Sequence, residues 1–83
     1  MAHATIYTAR FCPYCEAAKA LLRKERISFT EIDISGNWEN RDEMIARSNG
    51  QTTVPQIFIE DRHIGGLPDL QSLQEIGALP QHS

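Results

Sequence analysis

The chain carries two cysteines, and they stand together in Cys12-Pro13-Tyr14-Cys15. In thiol–disulfide exchange the thiolate is the nucleophile, and a second thiol within reach can displace the first product. Side chains three residues apart on a helix share a face, so the two sulfurs can meet. Pro13 suits the first turn of a helix, which sets Cys12 at a strand-to-helix turn. Free backbone N–H groups and the positive end of the helix dipole would then face the Cys12 sulfur and favour its thiolate. Arg10, two residues earlier, adds positive charge. Cys12 is expected to attack and Cys15 to resolve. A structural disulfide between them would close too short a loop to stabilise much by chain entropy. A zinc site needs more ligands than one CxxC, and the positions of His3, His63 and His82 suggest no set that would supply them.

The surrounding elements follow from pattern. Residues 4–8 are rich in β-branched and aromatic types and predict a strand. From Pro13 to about Lys24, Ala17, Ala18, Leu21 and Leu22 recur at helical spacing, with Lys19, Arg23 and Lys24 between them. Residues 28–34 predict a second strand: Phe29, Glu31 and Asp33 share one side, and Thr30, Ile32 and Ile34 the other. Asn37 is placed to cap a helix from Trp38 to about Ser48 that stops near Asn49-Gly50. Residues 56–60 predict a third strand, Asp61-Arg62 a turn, and His63-Ile64 a fourth strand that Gly65-Gly66 breaks. Pro68 is expected to open a last helix to about Ile76, ended by Gly77. The order is βαβαββα, with a parallel, right-handed first βαβ unit and a final antiparallel hairpin. This is the thioredoxin-like order, an α/β fold whose four-stranded mixed sheet carries three helices on its two faces.

Composition narrows the class. A chain of 83 residues predicts one domain, 1–83. Hydrophobic residues at 41% and charged residues at 23% suit a globular protein. The net charge of −3 and the lack of a dense Lys/Arg stripe argue against nucleic acid or an anionic membrane as partner. No apolar run approaches the ~20 residues of a spanning helix. Met1-Ala2-His3-Ala4 shows neither the basic nor the apolar part of a secretory signal, so a cytoplasmic location is expected. Two cysteines in one CxxC suit reversible redox chemistry in a reducing compartment better than a secreted disulfide scaffold.

Cys12-Pro13-Tyr14-Cys15 resembles the active site of dithiol glutaredoxins; thioredoxins carry Gly-Pro between their cysteines. The stretch from Thr52 through Val54-Pro55 to Ile59 resembles the family segment that contains a cis-proline. His63-Ile64-Gly65-Gly66 with Asp69-Leu70 resembles a third. The three stand in the family's order and spacing, and the resemblance is greatest to short bacterial glutaredoxins. It implies a glutathione site. Val54 would pair its backbone with the cysteinyl part of the peptide, as an added strand does, beside Thr53 and a cis Pro55. Tyr14 would flank the peptide, and Arg10 would offer it a positive charge. Gly66, Leu67 and Asp69 would receive the γ-glutamyl end, its carboxylate at the helix N-terminus and its ammonium on Asp69. Gln51 and Arg47 are further polar candidates, for which solvated surface is the expected role.

The resemblance also implies a monomer with no permanently bound cofactor and no metal. Glutathione would be its reducing co-substrate, and disulfide-containing or glutathionylated proteins its partners. Two positions depart from the family pattern. Ala9 stands where many members have a lysine for the glycine carboxylate of glutathione. Pro68 withholds an N–H that could meet the γ-glutamyl carboxylate. These departures keep open a redoxin reduced by thioredoxin reductase, and because thiolates hold clusters, Cys12 also leaves open an iron–sulfur carrier that holds a cluster with glutathione between two chains.

Overall fold

The computed structural model of the chain describes residues 2–80. Its elements run β1 (His3–Thr8), α1 (Pro13–Lys24), β2 (Ser28–Asp33), α2 (Trp38–Arg47), β3 (Gln56–Ile59), β4 (Arg62–Gly65) and α3 (Leu67–Glu75). The sheet order is β2-β1-β3-β4. β1 is parallel to β2 and antiparallel to β3, and β3 is antiparallel to β4. The expected βαβαββα order stands.

Helix boundaries follow local chemistry. Cys12 caps α1, with Pro13 in its first turn, where a missing N–H costs nothing. Asn37 caps α2 as expected, its Oδ1 accepting the Asn40 N–H at 2.9 Å. Gly77, with φ of +70°, follows the end of α3 in the conformation glycine adopts most readily. Several ends lie one residue from expectation, and Gly65, expected to break β4, is its last residue and pairs with Ile57; two of the shifts have a clear local cause. The helix α3 opens at Leu67, one residue before Pro68, because Gly66 is its cap and Asp69 ties that cap down. The β3–β4 turn is Glu60-Asp61 and not Asp61-Arg62: both residues take positive φ, at +49° and +67°, and Arg62 already pairs with Ile59. Two positive φ values in a row give the twist that a two-residue hairpin favours.

Alternation along the strands sorts the core. Ala4 and Ile6 of β1 and Ile57 and Ile59 of β3 pack with Ala18 and Leu22 of α1 and Leu70 of α3. On the opposite face Tyr7, Phe58 and Met44 pack together under α2. Each large apolar side chain fully buried in this way stabilises the fold by roughly 1.5–3 kcal/mol. β2 divides as its alternation predicted, with Phe29 against the first cluster and Ile32 and Ile34 against the second.

Arg47 departs from its expected solvated role. Its guanidinium lies 4.3 Å from the centre of the Phe58 ring and donates to the Tyr7 hydroxyl at 2.8 Å. That hydroxyl donates to Glu43 at 2.6 Å. Burial, followed by the Glu43 contact, raises the Tyr7 pKa.

Candidate active site

Register brings four separate segments to one end of the sheet. Thr8 pairs with Asp33 and Tyr7 with Gln56, so the end of β1 meets the end of β2 and the start of β3. Ile57 pairs with Gly65, which adds the end of β4 and the start of α3. Cys12 follows β1, a central strand, with the segment after β2 on one side and the turn before β3 on the other.

At that end the two cysteines differ in burial and in hydrogen bonding. The N–H of Cys15 donates to Cys12 Sγ at 3.1 Å, a contact that a thiolate accepts. Cys12 is partly exposed, whereas Cys15 is buried with no accessible surface. Burial pushes the Cys15 thiol up to about 12, and the Cys12 sulfur beside it adds to the shift. The Ala9 N–H and the Lys19 ammonium act in the opposite sense. Phe11, just before Cys12, is almost wholly exposed and sits at φ +56°, a costly conformation for a bulky side chain.

Lys19 was not visible as a site residue in the sequence. It is buried, and its Nζ meets Glu16 at 2.8 Å and Glu31 at 3.0 Å. Thr8 Oγ1 also donates to Glu31, at 2.7 Å. The available signal was spacing: Lys19 lies four residues after Cys15 and so on the same helical face.

A groove of about 420 Å³ lies beside this end, lined by Gln51, Thr53, Gln56, His63, Gly66 and Asp69 among others. Thr53, Gly66 and Asp69 are thus brought together as expected. The Val54–Pro55 bond is cis. The Val54 side chain packs against the Tyr7–Met44–Phe58 cluster. Its backbone N–H and C=O have no hydrogen-bond partner among the described residues. Gly66 lies close to the Pro55 carbonyl, since a Cβ on Gly66 would sit 3.5 Å from that oxygen. Asp69 Oδ2 accepts the Gly66 N–H at 2.9 Å.

Other expected residues fall elsewhere. The Leu67 side chain enters the core, so only its backbone faces outward chemistry. Tyr14 is exposed and outside the groove lining. Arg10 lies on the β2 side: its backbone N–H donates to Ser35 Oγ at 2.8 Å, and its charge helps to lower the Asp33 pKa after the Ser35 hydrogen bonds. Among the described residues no group of three or more His, Cys, Asp or Glu could hold a metal ion, and His82 lies outside them.

Known proteins share both the sequence and this architecture. A family model described as Glutaredoxin matches residues 4–64. Glutaredoxin 3 of Escherichia coli (strain K12) is 56% identical over 79 residues, which span 95% of this chain and 94% of that protein. The solution structure of a Brucella melitensis glutaredoxin is 48% identical with a TM-score of 0.77, covering 90% of this chain and 80% of that one. A dithiolic glutaredoxin of Trypanosoma brucei brucei, also a solution structure, is 33% identical with a TM-score of 0.80, covering 92% and 80%. The four-stranded mixed sheet with three helices is the thioredoxin-like fold of these relatives. With the paired cysteines at a helix N-terminus, the cis-proline turn and the glycine pair before α3 all in place, this chain belongs to the glutaredoxin family.

Proposed function

We propose that this glutaredoxin reduces protein disulfides and glutathione mixed disulfides through Cys12 and Cys15, with glutathione as reductant. The observation that carries the proposal is the asymmetry of the pair, a partly exposed Cys12 sulfur that receives the N–H of a buried, high-pKa Cys15. The Cys12 thiolate attacks one sulfur of a substrate disulfide. A Cys12 mixed disulfide forms, and the other substrate sulfur leaves as a thiolate that takes up a proton. Cys15 then loses its proton and attacks Cys12 Sγ, which releases the second substrate thiol and leaves a Cys12–Cys15 disulfide. Two glutathione thiols reduce that disulfide in turn and leave as oxidised glutathione, so two electrons pass from glutathione to substrate. With a glutathionylated substrate the bound glutathione is displaced from Cys12 by a second glutathione, and Cys15 is not needed.

The unpaired Val54 backbone supports glutathione as the peptide, since an extended segment can pair there as an added strand. Thr53, Gly66 and Asp69 continue that surface, with Pro55 buried in the turn and Tyr14 and the Leu67 backbone at its margins. In this reading the chain acts as one monomeric domain of the cytoplasm with no permanently bound cofactor. No described helix is long and apolar enough to cross a membrane.

The test is a glutathione-coupled assay on a small mixed disulfide, run beside a thioredoxin-reductase-coupled assay. Turnover with glutathione is expected to dominate. Cys12→Ser is expected to abolish activity on every substrate. Cys15→Ser is expected to keep at least about a tenth of the activity on glutathione mixed disulfides, because only the resolving thiol is lost, and to lose activity on protein disulfides. Equal losses in both variants on both substrates would refute the division of labour.

A further inference from the structure

The turn that carries Val54 is held by side chains from two strands. Gln56, buried at the start of β3, donates from Nε2 to the Thr53 carbonyl at 3.1 Å and lies 3.3 Å from Thr53 Oγ1. A carbonyl oxygen only accepts, so this end of the Gln56 amide is its NH₂ group. The Gln56 oxygen therefore faces the other way, toward His63 Nε2 at 2.7 Å. An amide oxygen has no proton to give, so His63 Nε2 must carry one. Two hydrogen bonds thus run from β4 through β3 to the residue before Val54. The His63 ring rests against Phe58 with centroids 4.9 Å apart, and the Arg47 guanidinium packs on the same Phe58. Gln56 occupies the Thr53 carbonyl, while the Val54 N–H and C=O have no partner among the described residues. Thr53, Gln56 and His63 all line the groove that ends at Gly66 and Asp69.

We propose that His63, acting through Gln56, is a positioning residue that holds the Thr53–Pro55 turn in the shape that receives the peptide of a glutathionylated substrate. The proposal rests on the function proposed above and adds a determinant of substrate affinity to it. An unpaired strand edge must be ordered before a peptide can add to it, and ordering it in advance removes that cost from binding. His63 acts through its Nε2 proton and not through charge. A side chain that offers an N–H at the same place therefore suffices.

The test compares wild type, His63→Leu and His63→Gln, whose amide nitrogen reaches where Nε2 stood. His63 is exposed, so both variants should fold, and Gln56→Met serves as a check on the buried end. With a glutathionylated peptide as substrate, His63→Leu is expected to raise KM about fivefold, the scale of one lost hydrogen bond. Its kcat should change by less than about twofold, and His63→Gln should restore KM. Nitrogen spectra of the wild-type imidazole at pH 9 should show the Nε2–H tautomer. Backbone order parameters at Thr53 and Val54 should fall from about 0.85 toward 0.6 in His63→Leu. An unchanged KM in folded His63→Leu, an Nδ1–H tautomer, or a fall in kcat without a rise in KM would each overturn the proposal. If wild type never turns over the glutathionylated peptide, the proposed function fails and the substrate named here fails with it. The tautomer and the order parameters then still decide whether the pair holds the turn.

Discussion

Asp69 accepts the Gly66 N–H at 2.9 Å, and a Cβ on Gly65 would fall on that same carboxylate. The glycine pair and the acid are therefore one unit: Gly65 leaves the space, Gly66 supplies the donor and Asp69 closes the start of α3. Asp69 was expected as a ligand group, and the structure adds a capping role that uses one of its oxygens.

Gly65→Ala tests the unit. Gly65 has φ of +120°, where a side chain is strained whatever the space around it. The substitution is expected to cost roughly 1–3 kcal/mol, with the displaced Asp69 carboxylate adding to the loss. A urea unfolding curve would show it as a lower midpoint with an unchanged slope. A midpoint equal to wild type would mean that the cap tolerates a methyl group.

Pro68 lines the groove as the second residue of α3. In a helix whose first N–H groups are free, it withholds one donor from any carboxylate docked there. Pro68→Ser is expected to lower KM for glutathione, with little change at saturating glutathione. A hydrogen bond to a charged group contributes roughly 1.5–3 kcal/mol, and exposure of Pro68 reduces the gain. Affinity and melting temperature must be followed together, because proline's fixed φ also stabilises the helix start. An unchanged or higher KM in folded protein would place the carboxylate elsewhere.

Iodoacetamide should separate the two thiols of the reduced protein. With its pKa pushed up to about 12, Cys15 stays a thiol at pH 8. Burial shields it further. Peptide mapping after brief treatment at pH 8 is expected to find the label on Cys12 alone. Comparable labelling of Cys15 would contradict its buried, protonated state.

The Lys19–Glu31 pair predicts a pH signature. The Thr8 hydroxyl and then the Lys19 ammonium lower the Glu31 pKa from its ordinary 4.5, against some desolvation. A depressed carboxylate contributes stability that is present above its unfolded value and lost as pH falls through the folded one. Wild type should therefore lose stability more steeply than Glu31→Gln below pH 4.5. At neutral pH the variant should be less stable by no more than about 1 kcal/mol, since Glu31 is partly solvated. On the alkaline side the raised Lys19 pKa keeps its charge, and that contribution fades only as pH rises above 10.5 through the folded value. Parallel curves for the two proteins at low pH would remove Glu31 from the balance.

What the sequence determined was local. Apolar spacing of 3.6 and 2 residues set the helices and strands, and Pro13, Asn37 and Gly77 punctuated them, because caps and turns depend on near neighbours. The dithiol at a helix start was legible for the same reason, since Cys12 and Cys15 meet within one helical turn. Strand pairing decided the rest. The register Tyr7↔Gln56 and Ile57↔Gly65 joins Cys12, Val54 and Gly66 at one end of the sheet, across separations that no local pattern encodes. Packing also gave charged residues their roles. Lys19 and Arg47 look like surface residues in the sequence, yet their long apolar stems let the chain bury Lys19 and half-bury Arg47 while their heads find Glu31 and Tyr7. Arg10 meets Ser35 through its backbone N–H and Asp33 through its charge, partners 23 to 25 residues away that side-chain alternation does not encode. The chain from His63 through Gln56 to Thr53 exists only once β3 and β4 pair, since its donors and acceptors come from segments whose meeting is set by the hydrophobic faces of the whole sheet.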